Sequence, residues 1–486
     1  MEEKLGGKVA SNLFWKFAER VCAQIVSFMV TTILARILLP EDYGTIAMVN
    51  VFITFADVFV TSGLGTSLIQ KKDADELDFS SMFYFGIIYS VCIYAILFLL
   101  APLIAVFYNN TELCIIIRIM GLRLPVACIN SIQHAYVSRR LMFKKFFFST
   151  LIGTLISTIL GIVLAIKGFG AWALVGQYLT NSLIDTIVLF ITVSWRPKLQ
   201  FSFVRVKQLY KYGWKLLANS LIHNVYIQFK NLVIGKVYSP EYLAYLNRGE
   251  QLPSLVITNV NTSIESVILP VFSQRQNEPD SIKAMVRKST KMSIFLIWPI
   301  MMGLFITADS LIPLLFTDKW AAAIPFLRIC CITQALVPIS SMYQQVTLAM
   351  GRSDIILKLG LPKKILSLIL VLIASRYSVL MVAYVMLFQT FIDLLINIYP
   401  NIKLIKYNYL EIIKDIFPYV CIVIIMGAAI YPISLFEIST ISILTLQIVI
   451  GVIVYVLLAN LFRMEEWSII RKFIQIKWIE ICNRKG

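Results

Sequence analysis

Apolar runs long enough to cross a bilayer recur from one end of this 486-residue chain to the other, and nothing else in the sequence limits its fold so tightly. A helix needs about 20 apolar residues to span the hydrocarbon core. Backbone groups in lipid must be satisfied within their own segment or in a closed barrel, and runs of this length are helical. Composition agrees: 59% of residues are hydrophobic, 15% are charged, and the mean hydropathy is +0.80. A soluble chain of this size needs far more charge to cover its surface. The sequence predicts an all-α integral membrane protein.

The runs predict about fourteen transmembrane helices, near 13–38, 43–69, 79–107, 112–137, 146–167, 171–194, 212–238, 250–272, 290–316, 321–349, 355–375, 378–400, 413–435 and 439–462. The first carries Lys16, Glu19 and Arg20 and lacks the short apolar core and small-residue cleavage site of a signal peptide, so it is expected to stay in the mature protein. Most of the 44 lysines and arginines fall on one set of alternate loops, including Lys71, Lys72, Arg139, Arg140, Arg205, Arg287, Lys358, Lys363, Lys364 and the basic end of the chain. The opposite set holds only Arg36, Lys167, Lys236, Arg248, Lys319 and Arg376. This bias places both termini in the cytoplasm. It also accounts for the net charge of +17 as topology determinants and anionic-lipid contacts, with no nucleic-acid partner.

The chain repeats itself at an offset of about 200 residues. Phe14-Trp15-Lys16 matches Gly213-Trp214-Lys215, Pro40-Glu41-Asp42-Tyr43 matches Pro240-Glu241-Tyr242, and Ile117-Arg118-Ile119 matches Leu327-Arg328-Ile329. The expected organisation is an N-lobe of six helices over 1–200, a C-lobe of six over 201–405, and two further helices with a basic cytoplasmic tail over 406–486. An even number of helices per half makes the repeat parallel. Transporters built this way hold substrate between their halves and work by rocking.

Polar stripes mark the expected seam. The first span carries Lys16, Arg20, Gln24, Ser27 and Thr31 at helical spacing, and the seventh carries Lys215, Asn219, His223, Tyr226 and Lys230 at the same steps. The second adds Asn50, Thr54, Asp57 and Thr61, and the eighth Gln251, Ser254, Thr258, Asn261 and Glu265. Such stripes do not face lipid cheaply, so these four spans are expected to line a wet cavity. Its cations Lys16, Arg20, Lys215 and Lys230 suit a diphosphate, Arg as a fork and Lys as a point charge. The competing reading is that Lys16, Arg20 and Lys215, near helix starts, snorkel to the headgroups. The acidic candidates for coupling to a proton or sodium ion are Glu19, Asp57, Asp185, Glu265 and Asp393; Asp57 and Glu265, which lie on the stripes, are preferred, against simple pairing with a neighbouring cation.

The eight cysteines follow no ligand spacing, and with two histidines a metal site is not expected. No phosphate-binding loop occurs, and no loop is long enough for a soluble catalytic domain, so the chain is not expected to be an enzyme such as a glycosyltransferase, polymerase or ligase.

Six segments carry a family likeness: LLPEDYG at 38–44, GLGTSLIQKK at 63–72, SRRLMFKKF at 138–146, GFGAWALVGQ at 168–177, Trp195-Arg196-Pro197 and LPVFSQ at 269–274. In this order and spacing the chain resembles the polysaccharide transporter family of the multidrug/oligosaccharidyl-lipid/polysaccharide exporter superfamily, with its Wzx-type lipopolysaccharide, O-antigen and exopolysaccharide flippases. The resemblance implies a MATE-like fold of two six-helix lobes plus two helices in the bacterial inner membrane. It further implies alternating access around a central cavity, an undecaprenyl-diphosphate-linked glycan as cargo, and no cofactor. The relatives' coupling residues are not uniform, and none is carried over. A flippase for lipid II shares the fold and the cavity charge; a multidrug antiporter would want carboxylates where this chain has cations.

Overall fold

The computed structural model describes residues 22–472 and residue 475, with the side chains of residues 262–267 left out. Among the described residues the chain is helical throughout, and nine helices are long and apolar enough to cross a membrane. It is a multi-pass, all-α membrane protein. Two compact units divide it, residues 1–244 and 245–486.

In the first unit, α1 (Cys22–Ile37) precedes α2 (Pro40–Thr61) and α3 (Leu64–Gln70). Pro40 suits the first helical position, where its missing N–H costs no bond, and Asp42 accepts the Leu39 amide at 2.9 Å. The second span, expected as one rod, is broken at Gly63. Its φ of +96° admits glycine readily, and a Cβ there would lie 2.4 Å from the Gly213 carbonyl oxygen. α4 (Glu76–Tyr108) starts on a capping box between Asp75 and Asp78. The fourth span divides at Leu122 into α5 (Glu112–Gly121) and α6 (Arg123–Arg139), because Pro125 cannot donate to the carbonyl of Gly121.

Helices α7 (Phe143–Ile166) and α8 (Ala171–Thr192) form a tight hairpin. Ser149, Gly153, Ser157, Gly161 and Ala165 are buried at every fourth position of α7. This small-residue face lets the α8 backbone come close: a Cβ on Gly153 would stand 3.2 Å from the Asp185 nitrogen. The unit closes with α9 (Phe203–Val237) and the first turn of α10 (Pro240–Gln274).

The second unit holds the rest of α10, then α11 (Pro279–Phe316), α12 (Ile324–Ala349), α13 (Ser353–Ala374), α14 (Val379–Leu404), α15 (Tyr409–Ile430) and α16 (Thr440–Leu461). Its apolar core runs through Phe272, Ile294, Met342, Tyr343, Tyr407, Ile422 and Tyr455, and so includes both added helices, α15 and α16.

Several helices outrun their apolar windows by a turn or more, since helix continues where the chain leaves the apolar layer. This relocates charges that the sequence places in loops. Arg287 and Lys291 lie on α11, and Lys358, Lys363 and Lys364 on α13. Arg248, expected in an outer loop, is instead buried in α10. Its guanidinium stacks on Trp320 and Phe316, 4.6 and 4.8 Å from the ring centroids, and donates to Gln251 at 2.6 Å.

Candidate functional site

The stripe expected on the seventh span lies on α9. Lys215, Asn219 and His223 are exposed along one side, and none of the three bonds to another side chain among the described residues. Tyr226 and Lys230 are half-buried and have partners of their own.

α9 is held at its two ends. Its buried residues are Val206, Leu209 and Gly213 at one end and Val233, Ile234 and Gly235 at the other, with none between. At the start, the Lys198 and Ser202 amides donate to the hydroxyls of Ser80 and Ser81 on α4 at 3.0 and 2.9 Å. Arg205 approaches Asp75 and Asp78 at 3.6 and 3.7 Å. Asp78, fully buried, also takes both bonds from Lys71 at 2.7 and 2.6 Å. The Asp78 backbone N–H, more than any other group, holds the Asp75 carboxyl below the ordinary range. Arg139 closes this end by donating to the carbonyls of Leu68, Ile69, Lys71 and Lys72, the last turn of α3 and its exit.

On α1, Gln24 is half-buried and Ser27 exposed. Asn50, Thr54 and Asp57 are all half-buried on α2. Asp57 Oδ2 pairs with Arg123 at 3.0 Å, while its Oδ1 is buried without a hydrogen-bond partner. Lys16, Arg20 and Glu19 lie outside the described residues, as does the side chain of Glu265.

On α10, Ser254 and Asn261 turn toward α12: Gln334 donates to the Ser254 hydroxyl at 3.0 Å and Ser341 to the Asn261 carbonyl oxygen at 2.9 Å. Gln251 accepts from Arg248, and Thr258 is exposed.

Two polar clusters form around Asp185 and Asp393, acids that the sequence offers as coupling candidates but without their partners. In the first unit, α6 brings Asn130 and His134 to Asp185 of α8. Asn130 Nδ2 donates to Asp185 Oδ2 at 2.7 Å and to the Thr186 hydroxyl at 3.1 Å, and His134 Nε2 lies 3.9 Å from the same carboxylate. Spacing could have found it, because Arg123, Asn130 and His134 fall seven and four residues apart, on one face. In the second unit, Lys363 of α13 donates to Asn397 of α14 at 2.9 Å and lies 3.6 Å from Asp393, while Asn397 donates to Ser340 at 2.8 Å. Lys363 hides among loop charges in the sequence, although it sits well inside its helix. No group of three or more His, Cys, Asp or Glu is placed to hold a metal among the described residues.

This architecture is that of a multi-pass helical membrane protein with charged and polar groups inside each unit. The comparisons narrow the class. Residues 33–325 match the model of a family described as polysaccharide biosynthesis protein, and the chain belongs to that family. It is 24% identical to the teichuronic acid biosynthesis protein TuaB of Bacillus subtilis, over 96% of this chain and 98% of that one. It is 23% identical to the succinoglycan biosynthesis transport protein ExoT of Rhizobium meliloti, over 68% of this chain and 67% of the other. With the lipopolysaccharide biosynthesis protein WzxC of Escherichia coli it shares 24% identity over 76% of each. In fold it is similar to the lipid II flippase MurJ in an inward closed conformation (TM-score 0.76, 15% identity, 93% of this chain and 98% of that one). It is also similar to an inward-facing multidrug resistance MATE family transporter of the MOP superfamily (TM-score 0.60, 14% identity, 79% and 96%).

Proposed function

We propose that this protein is a flippase that moves an undecaprenyl-diphosphate-linked oligosaccharide from the cytoplasmic to the outer leaflet for lipopolysaccharide, O-antigen or exopolysaccharide biosynthesis. The observation that carries this reading is the family match together with relatives named for surface-polysaccharide biosynthesis, one of them, TuaB, aligned along nearly the whole chain. The chain acts as a transporter rather than an enzyme, as a monomeric unit in the bacterial inner membrane with both termini cytoplasmic. It hands its cargo to a polysaccharide polymerase after glycosyltransferases have built it.

Chemistry supports a pyrophosphate-linked cargo. The exposed α9 face carries Lys215 and His223 and no acid, which favours a polyanion over a drug cation. With Lys16, Arg20 and Lys230, Lys215 grips the diphosphate, while Gln24, Ser27, Asn50, Thr54, Asn219, Tyr226, Gln251, Ser254, Thr258 and Asn261 offer polar groups to the sugars. The polyprenyl tail stays in lipid, because exposing its hydrocarbon to a wet cavity is unfavourable. A proton or sodium ion drives the cycle.

Mass spectrometry of polyprenyl-linked glycans sorted by leaflet, with and without the gene, tests this. Accumulation of a complete repeat unit on the cytoplasmic leaflet with loss of surface polymer is the expected result. Accumulation of lipid II instead would replace the cargo with the peptidoglycan precursor, the reading favoured by the MurJ-like fold alone. Lys215→Ala should reduce flipping at least about tenfold while leaving insertion intact, if its ammonium meets the diphosphate through a charge-assisted bond.

A further inference from the structure

We propose that His134 and Asp185 form a proton-carrying site inside the first unit, the point at which proton movement is coupled to transport. The inference rests on the transport reading above and assigns its coupling to residues outside the polar stripes. The two side chains meet where α6, α7 and α8 converge. Asp185 is the only acid on α8. It lies seven residues before the helix end at Thr192, which sets it about 10 Å inside the span.

Asp185 is incompletely satisfied. Its Oδ2 takes the Asn130 bond and faces His134, whereas its Oδ1 is buried without a hydrogen-bond partner. The Ser149 hydroxyl of α7 donates to the Phe146 carbonyl at 3.2 Å and also faces the Asp185 carboxylate. With a neutral imidazole the cluster carries one uncompensated negative charge in a low-dielectric site. One proton on His134 Nε2 makes an imidazolium–carboxylate pair of zero net charge. The imidazole is stacked on Phe146 at 4.2 Å, and its side chain is the more open of the two, 40% exposed against 18% for Asp185.

No other charge among the described residues of the packed helices is committed to this pair. On α2, Asp57 pairs with Arg123 of α6, Asp42 caps its own helix, and Glu41 is exposed at its start. Arg139 of α6 is bound to the α3 exit. On α7, Lys145 donates to the Thr192 carbonyl and Lys144 lies over Phe148. On α4, Asp78 is held by Lys71 and Glu76 by Lys198. On α5, Arg118 stacks on Phe98 and Glu112 is exposed at the helix start. A proton taken up here is therefore shared between the two members of the pair.

The chain has two histidines, so His223→Gln leaves His134 as the one imidazole, and nitrogen-15 histidine NMR of the purified full-length protein follows its protonation directly. Asp185→Asn in that background should lower the midpoint by about one pH unit or more, because the carboxylate stabilises the imidazolium. Asn130→Ala should raise it, by freeing the carboxylate from its amide donor, and serves if Asp185→Asn does not fold. An unmoved midpoint in the folded variants overturns the pair. In inverted vesicles, glycan transfer between leaflets should respond to an imposed pH gradient, and His134→Gln and Asp185→Asn should abolish the response while retaining equilibration. Transfer that ignores the gradient, or follows sodium instead, overturns the coupling role and leaves the flippase reading standing. Absence of any transfer by the unsubstituted protein overturns the flippase reading, while the NMR arm still judges the pair.

Discussion

Arg118 and Arg328 occupy matching places in the sequence repeat, and the two units surround them differently. Arg118 donates to the Phe98 carbonyl at 3.4 Å and stacks 4.2 Å over that ring. Arg328 donates to the Phe305 carbonyl at 3.3 Å, lies 5.7 Å from its ring, and adds an ion pair with Asp309. The shared part is arginine to phenylalanine carbonyl and face. The same divergence runs through both units. The first breaks its helices at Gly63 and Leu122 and carries Pro102 inside continuous α4, and the second carries more such prolines, among them Pro253 in α10 and Pro338 in α12. The first keeps its internal charges on α2, α4, α6 and α8, whereas the second has them on α10, α11, α13, α14 and α15. The two units thus share one arginine–phenylalanine contact and distribute their internal charges differently.

The sharpest way to break this comparison is at Gly63. Gly63→Ala forces a left-handed φ on a side chain and drives Cβ into Gly213, at a cost on the order of 4 kcal/mol read by thermal unfolding in detergent. Gly360→Ala on α13, where a Cβ meets nothing within 4 Å, should be neutral or slightly stabilising.

The next effect belongs to the second unit alone. Asp415 of α15 accepts two bonds from Arg287 and one from Tyr407, all at 2.6 Å, with Lys291 at 3.3 Å. Asp415→Ala leaves two cations facing each other and should destabilise by about 3 kcal/mol, while Asp415→Asn loses less. Protease accessibility of the α15–α16 segment should rise only in the Ala variant.

A smaller loss is expected at Lys363. Lys363→Met strands Asp393 and Asn397 and should cost about 2 kcal/mol. Adding Asp393→Asn should recover part of it in a double-mutant cycle. The smallest effect sharpens the opening contrast: Arg118→Lys should cost up to about 1 kcal/mol through its stack, and Arg328→Lys less, because lysine still pairs with exposed Asp309.

The fold was legible to a high degree. Each expected span overlaps helix where residues are described, since hydrocarbon length and backbone satisfaction leave few alternatives, although the second and fourth are broken and nine of the described helices are long and apolar enough to cross a membrane. The small-residue stripe of α7 and the Pro-initiated helices α2 and α10 are equally local signals. The candidate site was legible only as faces: periodicity put Lys215, Asn219 and His223 on one side of α9, but could not say that α9 is fully buried only toward its two ends. Loop counting misfiled Lys363 and Arg248, because charge composition does not reveal where a helix ends or what ring waits for a cation.

What the sequence by itself determined is the membrane as solvent, the helical class, the internal repeat and the family. These follow from runs, periods and motifs contained in single segments. Which charge meets which was decided by the tertiary structure alone. Asp57 with Arg123, His134 with Asp185 and Lys363 with Asp393 each join two different helices, and a few degrees of helix rotation decide whether a buried charge finds its partner.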